Sequence, residues 1–170
     1  MEHTAHRLTM LSTKRFALLK VKNAAGAWAF PSGLAACTIP LLAFLKAGDH
    51  ALLIDTIYGP TREFAEEILR RMGVEVDFFS PSVGADIASL FKANTALVML
   101  ETPGSHTFEM PDVPAIAKAC QEKGVISVID NTWATPLFFK PLEVGVDVVI
   151  HAATKYIGGH SDLTMGVVIC

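Results

Sequence analysis

Six short apolar runs constrain this chain more than any other feature. They are residues 50–55 (HALLID), 74–79 (VEVDFF), 95–100 (TALVML), 125–130 (VISVID), 147–151 (DVVIH) and 165–170 (MGVVIC). Each has strand length and is bounded by turn residues or a helical pattern. Residues 30–33 (FPSG) read as a turn, and the segment after it (LAACTIPLLAFLKAG) as a helix stopped by Gly48, with Pro40 expected to kink or break it. Residues 60–72 read as an amphipathic helix ended by Gly73. Phe64, Ile68 and Met72 share one face, and Glu66–Arg70 and Glu67–Arg71 are spaced to pair. Residues 86–92 predict a short helix. A further helix runs to Lys123, with Asp112 as N-cap, Pro114 in its first turn and Gly124 after it. Strands that are mostly apolar on both faces and alternate with helices specify an α/β fold with a mostly parallel sheet flanked by helices.

Composition narrows the function classes. Hydrophobic residues make up 51% and charged residues 18% of 170, enough apolar material for a core. The net charge of −3 comes with no basic patch, so nucleic acid is not an expected partner. The longest apolar stretch, residues 34–45, is too short to span a bilayer, and the N-terminus shows no apolar signal core. Cys37, Cys120 and Cys170 form no C-x-x-C and read as free thiols of a reducing, cytoplasmic setting. The six histidines include no H-E-x-x-H, and no metal site is expected, including at His160-Ser161-Asp162.

In sheets of this kind ligands sit beyond the carboxyl ends of the strands. Four such ends carry chemistry. Tyr58 follows HALLID, Glu101 follows TALVML, Asp130-Asn131 closes VISVID, and Thr154-Lys155 follows DVVIH. A lysine amine desolvated in a site forms a Schiff base with a carbonyl, and a carboxylate ending an apolar strand needs a partner such as a pyridinium nitrogen. Ser32-Gly33 opens a helix whose N–H groups suit a phosphate, and Tyr58 suits stacking on a planar ring. On local pattern alone Lys155 is equally a surface lysine and Asp130 equally a turn or cap residue. Ser32-Gly33 reads first as helix capping, and Tyr58 as rim packing.

Taken together, PSGLAAC, DTIYGPTREF, ETPGSHTFEMPD and DNTWATPLFFKPLEVGVDVVIHAATKYIGGHSD resemble the Cys/Met-metabolism group of pyridoxal-phosphate (PLP) enzymes, of the aspartate-aminotransferase fold type (fold type I). The resemblance runs from about Ala24 to the end. Within the group the pattern is most similar to the cystathionine β-lyases. Pro103-Gly104-Ser105 stands where many γ-lyases and γ-synthases carry Asn-Pro shortly after the proline, and the tryptophan of DNTWATP points the same way, less strongly. The resemblance implies that Lys155 carries PLP covalently and later moves the Cα proton. It also implies that Asp130 keeps the ring nitrogen protonated, and that Tyr58 stacks on the ring and helps proton transfer. The amides of Gly33 and Leu34, beside Ser32, would hold the phosphate, with the Thr154 hydroxyl nearby. Ala152 departs from relatives that have serine there.

The implied reaction is α,β-elimination of cystathionine to homocysteine, pyruvate and ammonia in methionine biosynthesis. The alternatives are γ-synthase, γ-lyase or methionine γ-lyase chemistry, or an inactive chain serving only in association. The implied assembly is a homotetramer built from dimers. Two departures bear on this. Residues 1–23, which read as a divergent or poorly ordered N-terminal segment or a basic helix over 13–22, lack the Tyr-x-Arg expected to reach a neighbouring subunit's phosphate. The domain at 24–170 is expected to be a partial PLP-binding large domain, with the C-terminal domain and the arginine for the substrate carboxylate outside it and with little turnover of its own.

Overall fold

The computed structural model describes residues 24–170, so the expectations for residues 1–23 lie outside the described residues. The described residues form one seven-stranded sheet: β1 (Ala27–Phe30), β2 (His50–Ile54), β3 (Glu75–Phe79), β4 (Thr95–Glu101), β5 (Ile126–Asp130), β6 (Val148–Ala152) and β7 (Gly166–Ile169), in the order β1-β7-β6-β5-β4-β2-β3. The four pairings from β3 to β6 are parallel, and β7 pairs antiparallel with both β6 and β1. A mostly parallel α/β sheet is what the apolar runs require, since β2, β4, β5, β6 and β7 are buried along almost their whole length.

Helix α1 (Gly33–Phe44) lies over β4 to β7 and buries Ala36, Cys37, Pro40 and Leu41. It ends at Phe44 rather than at Gly48, and it runs through Pro40 without the expected break. Helix α2 begins at Gly59–Phe64 and continues as a π-helical turn, Ala65–Leu69. The expected buried face of Phe64, Ile68 and Met72 is corrected: Thr61, Ala65 and Leu69 are buried and Met72 is exposed. The expected Glu66–Arg70 pair is replaced as well. Arg62 pairs with Glu66, and Arg70 donates to the Val76 carbonyl. The short helix expected at 86–92 is a 3-10 segment spanning Pro81–Leu90. Helix α3 (Val113–Lys123) follows the predicted caps. Asp112 Oδ1 accepts the Ala115 amide at 3.1 Å, and Gly124 ends the helix at φ 67°.

Two local features were not anticipated. β1 occupies residues to which no strand was assigned, its last residue Phe30 falling in the expected turn, and a short helix α4 (Thr135–Phe138) follows β5. β1 is an exposed edge strand with the non-alternating sequence AWAF, so it carries little pattern of its own; β7 supplies its register.

Candidate functional site

At the carboxyl ends of β4, β5 and β6 a cleft of about 720 Å³ opens beside the start of α1. Lys155, Asp130 and Tyr58 border it, and so do Ser32, Gly33, Leu34 and Thr154. Residues picked from separate strand ends therefore meet in one place.

The helix end of the cleft is built by close packing. Ser32 caps α1, its Oγ accepting the Ala35 amide at 3.0 Å while its carbonyl takes the Ala36 amide. Gly33 N–H and Leu34 N–H belong to the first-turn donors for which a helix offers no internal acceptor. Gly33 is needed for contact with β6, because a Cβ there would lie 2.6 Å from the Ala152 Cβ. Gly166 on β7 similarly faces the Ser32 carbonyl, where any side chain would collide. These two contacts bring the amides of the first turn down onto the sheet edge.

Two carboxyl groups lie side by side on the floor. Glu101 and Asp130 are register partners at the ends of β4 and β5, and both are buried. Asp130 Oδ1 accepts from the Thr132 amide at 2.9 Å and the Thr132 hydroxyl at 2.5 Å. The Cys37 thiol lies 3.5 Å from Oδ2. Burial raises the Asp130 pKa, against the lowering effect of these donors. Glu101 Oε2 accepts the Tyr58 amide at 2.7 Å and Oε1 the Ser105 hydroxyl at 2.6 Å. Burial, followed by the Asp130 charge, pushes Glu101 up to about 7. Cys37 is likewise pushed well above the usual thiol value by burial and by Asp130.

Lys155 sits in a turn closed by Gly158 N–H donating to the Ala153 carbonyl at 2.7 Å and Gly159 N–H to the Lys155 carbonyl at 2.9 Å. Lys155 is exposed, which corrects the expectation of a desolvated amine. Thr154 borders the cleft, but its hydroxyl already donates to the Met165 carbonyl and accepts the Met165 amide. Tyr58 is 45% exposed. Across the mouth stand Trp133 and Tyr156, with Phe108 edge-on to Trp133 at 5.5 Å.

One of the expected strand-end residues turns away. The Asn131 amide donates to the carbonyls of Thr135 and Phe139 and fastens the α4 turn instead of lining the cleft. The residues that sequence reasoning missed are Thr132 and Cys37. Thr132 lay two positions from Asp130, where an Asx-type turn is an available signal. Cys37 had no signal, because only the packing of α1 on β5 brings it to Asp130. Among the described residues no cluster of three metal-ligating side chains occurs, and no helix is long and apolar enough to cross a membrane.

The model of the Cys/Met metabolism PLP-dependent enzyme family matches residues 9–170. The chain is 48% identical over 153 residues to an L-alanine/L-glutamate racemase of Wolbachia pipientis, covering 90% of this chain and 38% of the relative. It is 45% identical over 156 residues to the cystathionine beta-lyase of Escherichia coli, covering 91% and 40%. The crystal structure of cystathionine gamma-lyase from Lactobacillus plantarum complexed with L-serine superposes with a TM-score of 0.86 at 33% identity, covering 94% of this chain and 41% of that one. The chain thus spans about two fifths of the length of these relatives. With the family model matched over nearly all of its length and the structural neighbour sharing its sheet, the chain belongs to the Cys/Met metabolism family of PLP-dependent enzymes.

Proposed function

We propose that the protein is a carbon–sulfur lyase that cleaves the Cβ–S bond of cystathionine by α,β-elimination. Cystathionine and water become homocysteine, pyruvate and ammonia. The observation that carries this reading is the meeting of Lys155, Asp130 and the first turn of α1 around one cleft.

The donor set fits PLP. Two first-turn amides lack internal acceptors, a buried carboxyl lacks a cation, and an amine stands at the rim. When bound, PLP supplies an electron sink for charge developing at the substrate Cα. Gly33 and Leu34 would hold its phosphate at the helix N-terminus, with Ser32 fixing that turn. Asp130 would keep the ring nitrogen protonated, its own burial offset by that positive partner. Tyr58 would cover the ring face and help pass protons. Lys155 would bind the aldehyde, give way to the substrate amine, take the proton from Cα and hand it to the sulfur as the Cβ–S bond breaks, so that homocysteine leaves as the thiol. Thr154 borders the cleft without a free donor for that phosphate, because both its hydroxyl and its backbone N–H donate to the Met165 carbonyl.

Preference for β- over γ-cleavage rests on Pro103-Gly104-Ser105 and on the identity to the Escherichia coli enzyme. A homo-oligomer and a cytoplasmic location complete the reading. Mixing the protein with PLP should produce an absorbance band near the visible edge that Lys155→Ala abolishes. With L-cystathionine, pyruvate is the expected keto acid. Release of 2-oxobutyrate would replace this reading with γ-elimination. Formation of D-amino acid from L-alanine, without keto acid, would replace it with racemisation, the activity named for the Wolbachia relative.

A further inference from the structure

The two oxygens of Asp130 are held unequally. Oδ1 takes both the amide and the hydroxyl of Thr132. The Thr132 hydroxyl also accepts the Ala152 amide, at 2.7 Å. An amide can only donate, so this contact commits a lone pair of Oγ1 and turns its single proton toward Asp130. Polarity therefore runs one way, from the β6 backbone through Thr132 into Oδ1. Among the described residues Oδ2 meets only the Cys37 thiol, a weak donor at 3.5 Å.

We infer that Thr132 is a positioning residue, one that locks Oδ1 of Asp130 and so leaves Oδ2 as the oxygen presented to a cationic ring N–H in the cleft. This rests on the PLP reading above, and it concerns a residue that acts only through Asp130. The hydroxyl serves two partners at once. Valine, of nearly the same shape, would leave Oδ1 one donor short and the Ala152 amide without its acceptor. Serine would keep both bonds. The titratable groups around Asp130 are Cys37 on α1 and Glu101 on β4, with Lys155 lining the same cleft.

The test compares Thr132→Val and Thr132→Ser with the wild type in two readouts. In the first, ¹³C NMR follows the Asp130 carboxyl through a pH titration without PLP. Losing a hydroxyl that favours the ionised form should raise its proton affinity about tenfold in Thr132→Val. Thr132→Ser should stay within about twofold of the wild type. In the second, PLP binding should weaken about tenfold in Thr132→Val and be restored in Thr132→Ser. Should the valine variant not fold, the wild type decides: a Thr132 hydroxyl proton shielded from exchange supports the lock, and one exchanging freely with water overturns it. Identical Asp130 titration in wild type and Thr132→Val overturns the proposal, whatever PLP does. A shifted Asp130 in a protein that binds no PLP overturns the cofactor reading and leaves the role of Thr132 standing.

Discussion

Glu101→Gln should change how stability depends on pH, and by a calculable amount. In the folded chain Glu101 is buried beside Asp130, and its pKa is raised from 4.5 to about 7. The unfolded chain gives up that proton near 4.5, whereas the folded chain holds it to about 7. Between those values the folded state binds more protons, so stability must fall as pH rises. At about 1.4 kcal/mol per pH unit of separation, the loss is about 3 kcal/mol, complete above neutrality. Glutamine keeps the size and one acceptor oxygen for Tyr58 or Ser105 but does not ionise. Urea unfolding at pH 4.5 and at pH 8 should therefore show the wild type losing about 3 kcal/mol relative to Glu101→Gln across that interval. A difference between the two proteins that stays constant with pH would refute the reasoning.

Three further outcomes are expected. His151, buried in β6, has its pKa held down at about 4 by burial, so the folded state binds fewer protons than the unfolded one below 6.5. Stability from this group is present above 6.5 and is lost as pH falls toward 4, by about 3 kcal/mol; unfolding curves of His151→Asn should lack that acid slope. Gly33→Ala places a Cβ 2.6 Å from the Ala152 Cβ and should cost about 1–3 kcal/mol in thermal or urea unfolding, with weaker PLP binding as α1 lifts from the sheet. Cys37 and Cys120 are buried, with burial the main cause of their raised pKa values, so an aromatic disulfide reagent should titrate Cys170 alone in the native protein and all three thiols in denaturant.

The sheet was legible because burial on both faces forces continuous apolar runs, which five of its seven strands show, while β3 alternates exposed Glu75 and Asp77 with buried Val76 and Phe79. β1 was not, since four residues at an edge, three of them exposed, carry no period. The α2 stripe was misread because the phase of an amphipathic helix is ambiguous when Phe64, Ala65, Ile68 and Leu69 are all apolar. The π turn and the packing of Ala65 and Leu69 then choose the face. In the site, Lys155, Asp130 and Tyr58 stood out because polar groups after apolar strands need a reason. Asn131 met that same criterion, yet its amide serves the α4 turn. Glu101 was visible as a strand-end carboxylate, but its adjacency to Asp130 depends on the β4–β5 register, which no local pattern encodes. Thr132 and Cys37 act through contacts between distant segments and become visible only when α1 and β6 close on β5.

The most direct measurement is to incubate the folded protein with PLP, reduce it with borohydride and map the modified peptide by mass spectrometry. Recovery of the pyridoxyl group on Lys155, with weaker PLP loading in Asp130→Asn, is the predicted result. A pyridoxyl group on some other lysine, or spread evenly over surface lysines and indifferent to Asp130, would contradict the claim that these two residues hold one ring.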